Sequence, residues 1–254
     1  VEDILNILAL ADRYIDELPP LPQPLEPPQG SQIASWIDHT LLEPQATSYQ
    51  VKELCQEADQ FGFASVCVNP VYTSLAAGLL RESPVKVCCM AGFPLGASLP
   101  ATKVIEALTA LNAGAAEIDM VINIGALKSQ AYGLVINEVQ FMAQTVHNQR
   151  ADLTATLEAA LLTRREKIIA CLLCKAAGAD FVKTSTGFGS NAAGPEEVEL
   201  MRRVVGPEMG IKAGGDIQTY QEALAVIRAG ASRVGASAGV AIVRDAETFR
   251  EVEA

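Results

Sequence analysis

Aromatic residues are scarce, at 5% of 254 positions with a single tryptophan, so any large core must be aliphatic. Histidine occurs only twice, at His39 and His147. Neither stands in an H-x-x-x-H spacing or beside a carboxylate cluster, so no metal site is expected. Positive charge is in deficit. Lys and Arg number 19 against 30 Asp and Glu, for a net charge of −11. Such a body repels polyanions, so neither nucleic acid nor an anionic membrane surface is an expected partner. No apolar run reaches the ~20 residues of a membrane span. Val1 to Tyr14 carries no basic stretch followed by a small-residue cleavage site, so a cytoplasmic location is expected. The six cysteines (Cys55, Cys67, Cys88, Cys89, Cys171 and Cys174) lie mostly within apolar strand-like or helix-like runs. That is the usage of buried free thiols in a reducing compartment. Cys171 and Cys174 have C-x-x-C spacing, but mid-helix and without a second pair, so they read as core.

What is abundant is aliphatic: half the residues are hydrophobic and 19% are charged. Disorder is excluded for most of the chain. Residues 1–17 place Ile4, Leu5, Ile7, Leu8, Leu10, Ala11 and Ile15 at helical spacing, which predicts a short amphipathic helix. Residues 18–30 hold six prolines between Pro19 and Pro28 and read as an extended linker. Residues 31–254 form the main domain. There, eight short β-branched runs at 35–39, 65–69, 86–91, 117–123, 152–158, 181–186, 210–214 and 233–237 alternate with helical runs. The helical runs fall near 48–61, 71–80, 98–112, 131–149, 163–177, 195–205, 219–229 and 238–252. The fragments Asn112-Ala113-Gly114-Ala115, Ala176-Ala177-Gly178-Ala179 and Arg228-Ala229-Gly230-Ala231 each precede a strand, as a repeated βα unit would. Glycine past a helix end accepts the left-handed conformation that closes it. Eight βα units predict an α/β fold, the (β/α)8 TIM barrel, with an N-terminal helical extension. A doubly wound sheet is disfavoured because no G-x-G-x-x-G follows a strand.

A buried parallel strand should be nearly all apolar. Strands 4, 6 and 7 instead carry Asp119, Lys183 and Lys212. One such residue reads equally well as an exposed strand end. Three at equivalent places converge if they point into the barrel. Adjacent ammoniums depress each other's pKa and burial acts the same way. A lysine neutral near pH 7 attacks carbonyl carbon and forms a Schiff base. A nearby carboxylate shuttles protons or holds a lysine by a charged hydrogen bond. The residue types therefore point to amine-based aldol chemistry. Small residues follow strands 6, 7 and 8: Ser185-Thr186-Gly187-Phe188-Gly189, Gly214-Gly215 and Gly235-Ala236-Ser237-Ala238-Gly239. They let backbone N–H groups approach a phosphate, and the loops after strands 7 and 8 are a common place for one in barrels.

From about Ser35 to Val243 the chain resembles the deoxyribose-phosphate aldolase family of class I aldolases. The resemblance rests on Ile37-Asp38-His39-Thr40-Leu41-Leu42, Val66-Cys67-Val68-Asn69-Pro70, Gly92-Phe93-Pro94-Leu95-Gly96, Glu117-Ile118-Asp119-Met120-Val121-Ile122-Asn123, Phe181-Val182-Lys183-Thr184-Ser185-Thr186-Gly187-Phe188 and Arg233-Val234-Gly235-Ala236-Ser237. It implies a carbon–carbon lyase that reversibly cleaves 2-deoxy-D-ribose 5-phosphate to acetaldehyde and D-glyceraldehyde 3-phosphate, without a cofactor. It also implies that Lys183 forms the Schiff base, Lys212 lowers its pKa and Asp119 assists proton transfer. Asp38 and Cys67 match positions lining the substrate pocket, although Cys67 reads equally as packing. Thr186, Gly187, Gly214, Gly215, Gly235, Ser237 and Ala238 match or adjoin the phosphate cradle.

Three departures stand out. Strand 5 has Thr154 where the family usually has a lysine, with Ala155 and Thr156 in place of larger apolar residues, while Glu158 is kept. Glu158 reads either as a partner of a lysine or as a strand-end charge, with the first favoured. After Lys212, Asp216 stands where a glycine is usual and Gln218 where an arginine is usual. The helix and proline segment of residues 1–30 lie outside the shared region. These changes keep two other readings open: a weakly active or non-catalytic sugar-phosphate-binding relative, and a lysine aldolase with another acceptor. Small barrels often pair, so a homodimer is one option, and no residue of the sequence decides it.

Overall fold

The computed structural model describes residues 4–23, 26–189 and 194–248. Eight parallel strands close on themselves in sequence order: β1 (Ile37–Leu41), β2 (Ser65–Val68), β3 (Lys86–Ala91), β4 (Glu117–Val121), β5 (Asp152–Thr156), β6 (Phe181–Lys183), β7 (Gly210–Gly214) and β8 (Arg233–Ala236). β1 pairs with β8, so the barrel leaves no sheet edge. Around it run α2 (Ser48–Phe61), α3 (Thr73–Leu79), α4 (Pro100–Asn112), α5 (Ile124–Lys128), α6 (Tyr132–His147), α7 (Arg164–Ala176), α8 (Pro195–Val205), α9 (Tyr220–Arg228) and α10 (Gly239–Thr248). The helix preceding the barrel is α1 (Ile4–Asp16). The TIM-barrel expectation is met. Of the expected helices 1–17 and 238–252, residues 1–3 and 249–252 lie outside the described residues, as do residues 24–25 of the proline segment.

Helix starts follow local chemistry. Thr47 with Gln50, Thr163 with Glu166 and Thr219 with Glu222 form reciprocal capping boxes that satisfy orphan N–H groups of α2, α7 and α9. Where the structure departs from the sequence reading, a local interaction explains it. β4 ends at Val121 rather than 123, and the Asn123 side chain accepts from the Ala126 N–H to start α5, a short helix the sequence reading did not place. β6 ends at Lys183 rather than 186, and just past it the Thr184 hydroxyl bonds both the N–H and the carbonyl of Gly214. Residues 30–36 form a 3-10 turn, so β1 begins at Ile37.

The strand period of two divides the core. Outward residues such as Ile118, Met120, Leu153 and Ala155 join the aliphatic layer under the helices. Inward residues split into two zones. Leu42, Cys67, Cys88 and Met90 make a small apolar cluster on the β1–β3 side. Charged side chains from β1, β4, β6, β7 and β8 fill the remainder of the interior. α1 buries Ile7 and Ala11 in the same layer as the barrel helices and lies along α7, where Asp12 accepts from Arg165 at 2.8 Å. Burying Ile7 stabilises this docking by about 2 kcal/mol. The Arg203 guanidinium donates to the Pro19 carbonyl and ties down the start of the proline segment.

The β3–α4 loop is fixed from below. Gly96 (φ 66°) lies so close to the Ile122 carbonyl that no side chain fits there. Lys103 is fully buried and donates to the Val121 carbonyl at 2.8 Å and to Glu138 at 2.9 Å. Glu138 also accepts from the Asn123 N–H, and Glu106 accepts from the Gly92 N–H.

Candidate active site

Glu117 and Asp119 are two residues apart on β4, so both point inward. Lys183 and Lys212 are register partners on β6 and β7, so their side chains lie together. The Lys183 Nζ donates to one Asp119 oxygen at 2.8 Å, and Lys212 Nζ lies 3.2 Å from the other. Lys212 also donates to Glu117 at 2.8 Å, lies 3.4 Å from Asp38 and sits 5.3 Å from the centre of the Phe181 ring. Arg233 of β8 bonds Asp38 tightly and reaches Glu117 at 3.4 Å, while Ser65 donates to Asp38 at 2.6 Å. The result is a buried network of Asp38, Glu117 and Asp119 with Lys183, Lys212 and Arg233, in which the charges balance.

The electrostatics differ from the sequence expectation. Burial is the largest single influence on the Lys183 amine and pushes it down, but the Asp119 carboxylate, with smaller contributions from the Cys67 and Cys88 sulfurs, pushes it up, and the net shift is upward. Lys212 moves well upward for the same reason, with Asp119, Asp38 and Glu117 overcoming burial. Asp119 and Asp38 move down, because the neighbouring cations outweigh the burial that opposes their charge. The resting site therefore holds two ammoniums, not a neutral lysine. The repulsion of Lys183 by Lys212 exists but is the smaller influence. Buried carboxylates, Asp119 against Lys183 and all three against Lys212, oppose the effect expected of two neighbouring lysines.

Lys183 is 5% exposed and forms the floor of a cavity of about 410 Å³ at the C-terminal mouth of the barrel. Thr186, Gly187, Gly214, Gly215, Gly235 and Ser237 line that cavity. Gly214 is closely packed there: a Cβ would stand 3.1 Å from the Lys183 Cε and 3.2 Å from the Ser185 carbonyl, so a side chain would press on both. Thr186 shapes the loop, its N–H donating to Glu158 and its hydroxyl accepting from the Phe188 N–H. A hollow of about 690 Å³ at the opposite end of the barrel is larger but is lined by neither lysine of the network.

Asp38 and Cys67 do not line the cavity. Asp38 lies below it, against Lys212 and Arg233. Cys67 is 1% exposed and joins the inner apolar cluster, so of its two readings packing is where the structure places it. The Cys67 and Cys88 sulfurs and an Asp119 oxygen lie within 4.8 Å of one another. Both Asp119 oxygens are taken by ammoniums, and the Cys67 hydrogen bond and burial push the Cys88 thiol well up, so this trio is ill suited to a metal. Glu158 holds the Thr186 backbone, not a lysine, which corrects the favoured reading of that residue. Glu117 and Arg233 received no role from the sequence. The period-two signal was present, since each stands two residues before an inward residue, Asp119 and Gly235. Thr154 is the register partner of Asp119 and also faces inward, so this chain has a hydroxyl rather than a cation there.

Residues 33–247 match the family model described as DeoC/LacD family aldolase. The deoxyribose-phosphate aldolase of Thermococcus gammatolerans is 53% identical over 219 residues, spanning 85% of this chain and 97% of the relative. That of Halalkalibacterium halodurans is 52% identical over 212 residues, 83% of this chain and 94% of the relative. Among solved structures, one from Coccidioides immitis superposes with a TM-score of 0.89 at 40% identity, covering 95% of this chain and 97% of its own. The deoxyribose phosphate aldolase of Aeropyrum pernix, described as a tetramer, superposes at 0.80 and 33% identity, covering 95% and 97%. With the barrel, the cavity and the inward lysines in place, the chain belongs to the DeoC/LacD family of aldolases.

Proposed function

We propose that this chain is a class I aldolase that reversibly cleaves 2-deoxy-D-ribose 5-phosphate to acetaldehyde and D-glyceraldehyde 3-phosphate, with Lys183 as the Schiff-base residue. The observation that carries the reading is the Lys183–Asp119–Lys212 contact at the cavity floor. Lys183 is the member of this trio that reaches the cavity.

The Lys183 ammonium first passes a proton to Asp119, and the free amine adds to C1 of the open-chain sugar. Asp119 returns the proton to the carbinolamine oxygen, which leaves as water and gives an iminium. Ammonium and iminium carry the same charge at the same place. The field of Asp119 that keeps Lys183 protonated therefore also stabilises the iminium. Asp119 then accepts the C3 hydroxyl proton, the C2–C3 bond breaks, and its electron pair moves to the iminium nitrogen as an enamine. C3 leaves as the new aldehyde. The enamine takes a proton at C2, and water releases acetaldehyde. Lys212 acts as a positioning residue: with Glu117 and Asp38 it keeps Asp119 charged and aimed at Lys183.

Backbone N–H groups of Gly187, Gly215 and Ser237 donate no hydrogen bond among the described residues and line the same cavity, which suits a phosphate terminus. The departures at Thr154 and Asp216 leave the charged trio in contact, which speaks for turnover rather than a purely binding role. No helix among the described residues is long and apolar enough to cross a membrane. The tetrameric relative supports self-association, with a homodimer as the smallest form expected. The test is retro-aldol turnover: acetaldehyde and glyceraldehyde 3-phosphate should appear in equal amounts, and Lys183→Ala should abolish both without loss of fold. Normal turnover by Lys183→Ala would overturn the assignment.

A further inference from the structure

The cavity is uneven in charge. Lys183 is the one cation among its described lining residues, and that charge is paired with Asp119. The same lining holds two carboxylates, Glu43 and Asp216. Asp216 adopts a left-handed conformation (φ 52°), and its Oδ1 accepts from the Gln218 Nε2 at 2.6 Å. Gln218 thus holds the carboxylate in a cavity that Gly215 and Ser237 also line. Backbone N–H groups attract an anion, whereas a fixed carboxylate repels a dianion and accepts from a hydroxyl.

We propose that Asp216, held by Gln218, is the specificity-determining residue of this pocket, narrowing its discrimination between a phosphate terminus and a neutral hydroxyl terminus. Unphosphorylated 2-deoxyaldoses are then substrates of the same lysine, with the preference for their 5-phosphates reduced about tenfold. This rests on the aldolase reading above and concerns only its substrate class. Glu43 adds repulsion in the same cavity but is not oriented by a partner side chain among the described residues, so Asp216 is the position to change.

The experiment compares kcat/KM for 2-deoxyribose 5-phosphate and for 2-deoxyribose in the wild type, Asp216→Asn and Asp216→Gly. Asparagine and glycine both tolerate the left-handed backbone, so neither substitution strains the loop. Asp216→Asn should raise kcat/KM for the phosphate substrate about tenfold, the effect expected of one carboxylate about 6 Å from a dianion in near-aqueous surroundings. The gain should appear mainly as a lower KM. On 2-deoxyribose the same variant should gain nothing and lose a few-fold where the hydroxyl contact is made. Added salt should speed wild-type cleavage of the phosphate substrate and affect Asp216→Asn less. A selectivity ratio unchanged within twofold in both variants would overturn the role of Asp216 and leave the aldolase reading standing. No cleavage of either sugar, with no borohydride-trapped imine on Lys183, would overturn both.

Discussion

Removing Lys212 tests the charge balance of the barrel interior. The side chain is fully buried and faces three carboxylates, Glu117 at 2.8 Å, Asp119 at 3.2 Å and Asp38 at 3.4 Å. Methionine fills much of the same volume but leaves three anions facing two inner cations. Breaking a buried ion pair from one side destabilises by about 3–5 kcal/mol, because the remaining charge is stranded. For a chain of this length that corresponds to a melting temperature lower by about 10 °C. The second half of the cycle is Glu117→Gln, which by itself leaves a surplus cation. Combining the two restores neutrality, so the double variant should be about 2 kcal/mol more stable than the two single losses added together. Urea denaturation followed by far-ultraviolet circular dichroism, at one fixed protein concentration, measures all four proteins. Losses that add within about 0.5 kcal/mol would refute the coupled network. So would a Lys212→Met protein as stable as the wild type.

Two further outcomes follow from the same electrostatics. Because the Lys183 pKa is raised, the reactive neutral amine is the minor species below it, and its fraction grows about tenfold per pH unit. The initial rate of imine formation with acetaldehyde should rise steeply from pH 6 to pH 9, while the final extent stays constant, since ammonium and iminium carry equal charge. A flat rate profile would mean that Lys183 is already neutral. Lys103→Met should cost about 3 kcal/mol in urea denaturation by stranding the buried Glu138, and Lys103→Met/Glu138→Gln should recover part of it. An unchanged midpoint for Lys103→Met would show that this pair does not anchor the β3–α4 loop.

The barrel was legible because its signal is repetitive. Alternating β-branched and alanine-rich runs with glycine closures mark eight units, and no local ambiguity of one or two residues changes that count. Asp119, Lys183 and Lys212 were legible because charge inside a buried strand conflicts with its surroundings. Their protonation was not. The Lys212–Glu117 and Arg233–Asp38 contacts join residues 95 and 195 positions apart in sequence, and only the closed barrel brings them together. Lys103 and Glu138 sit on helices, where charge is unremarkable, so nothing in their spacing marks them as a buried pair. The shift of Glu158 from expected lysine partner to support of Thr186 has a similar origin. Its left-handed backbone (φ 51°) carries the carboxylate to the loop after β6.

The central claim is a Schiff base on Lys183, and borohydride trapping tests it most directly. The protein is incubated with acetaldehyde, reduced, digested and mapped by mass spectrometry, with a control that omits the aldehyde. The expected result is one ethyl group per chain on Lys183, with Lys212 and the surface lysines unmodified. An adduct on Lys212 instead, or no selective adduct at all, would contradict the assignment.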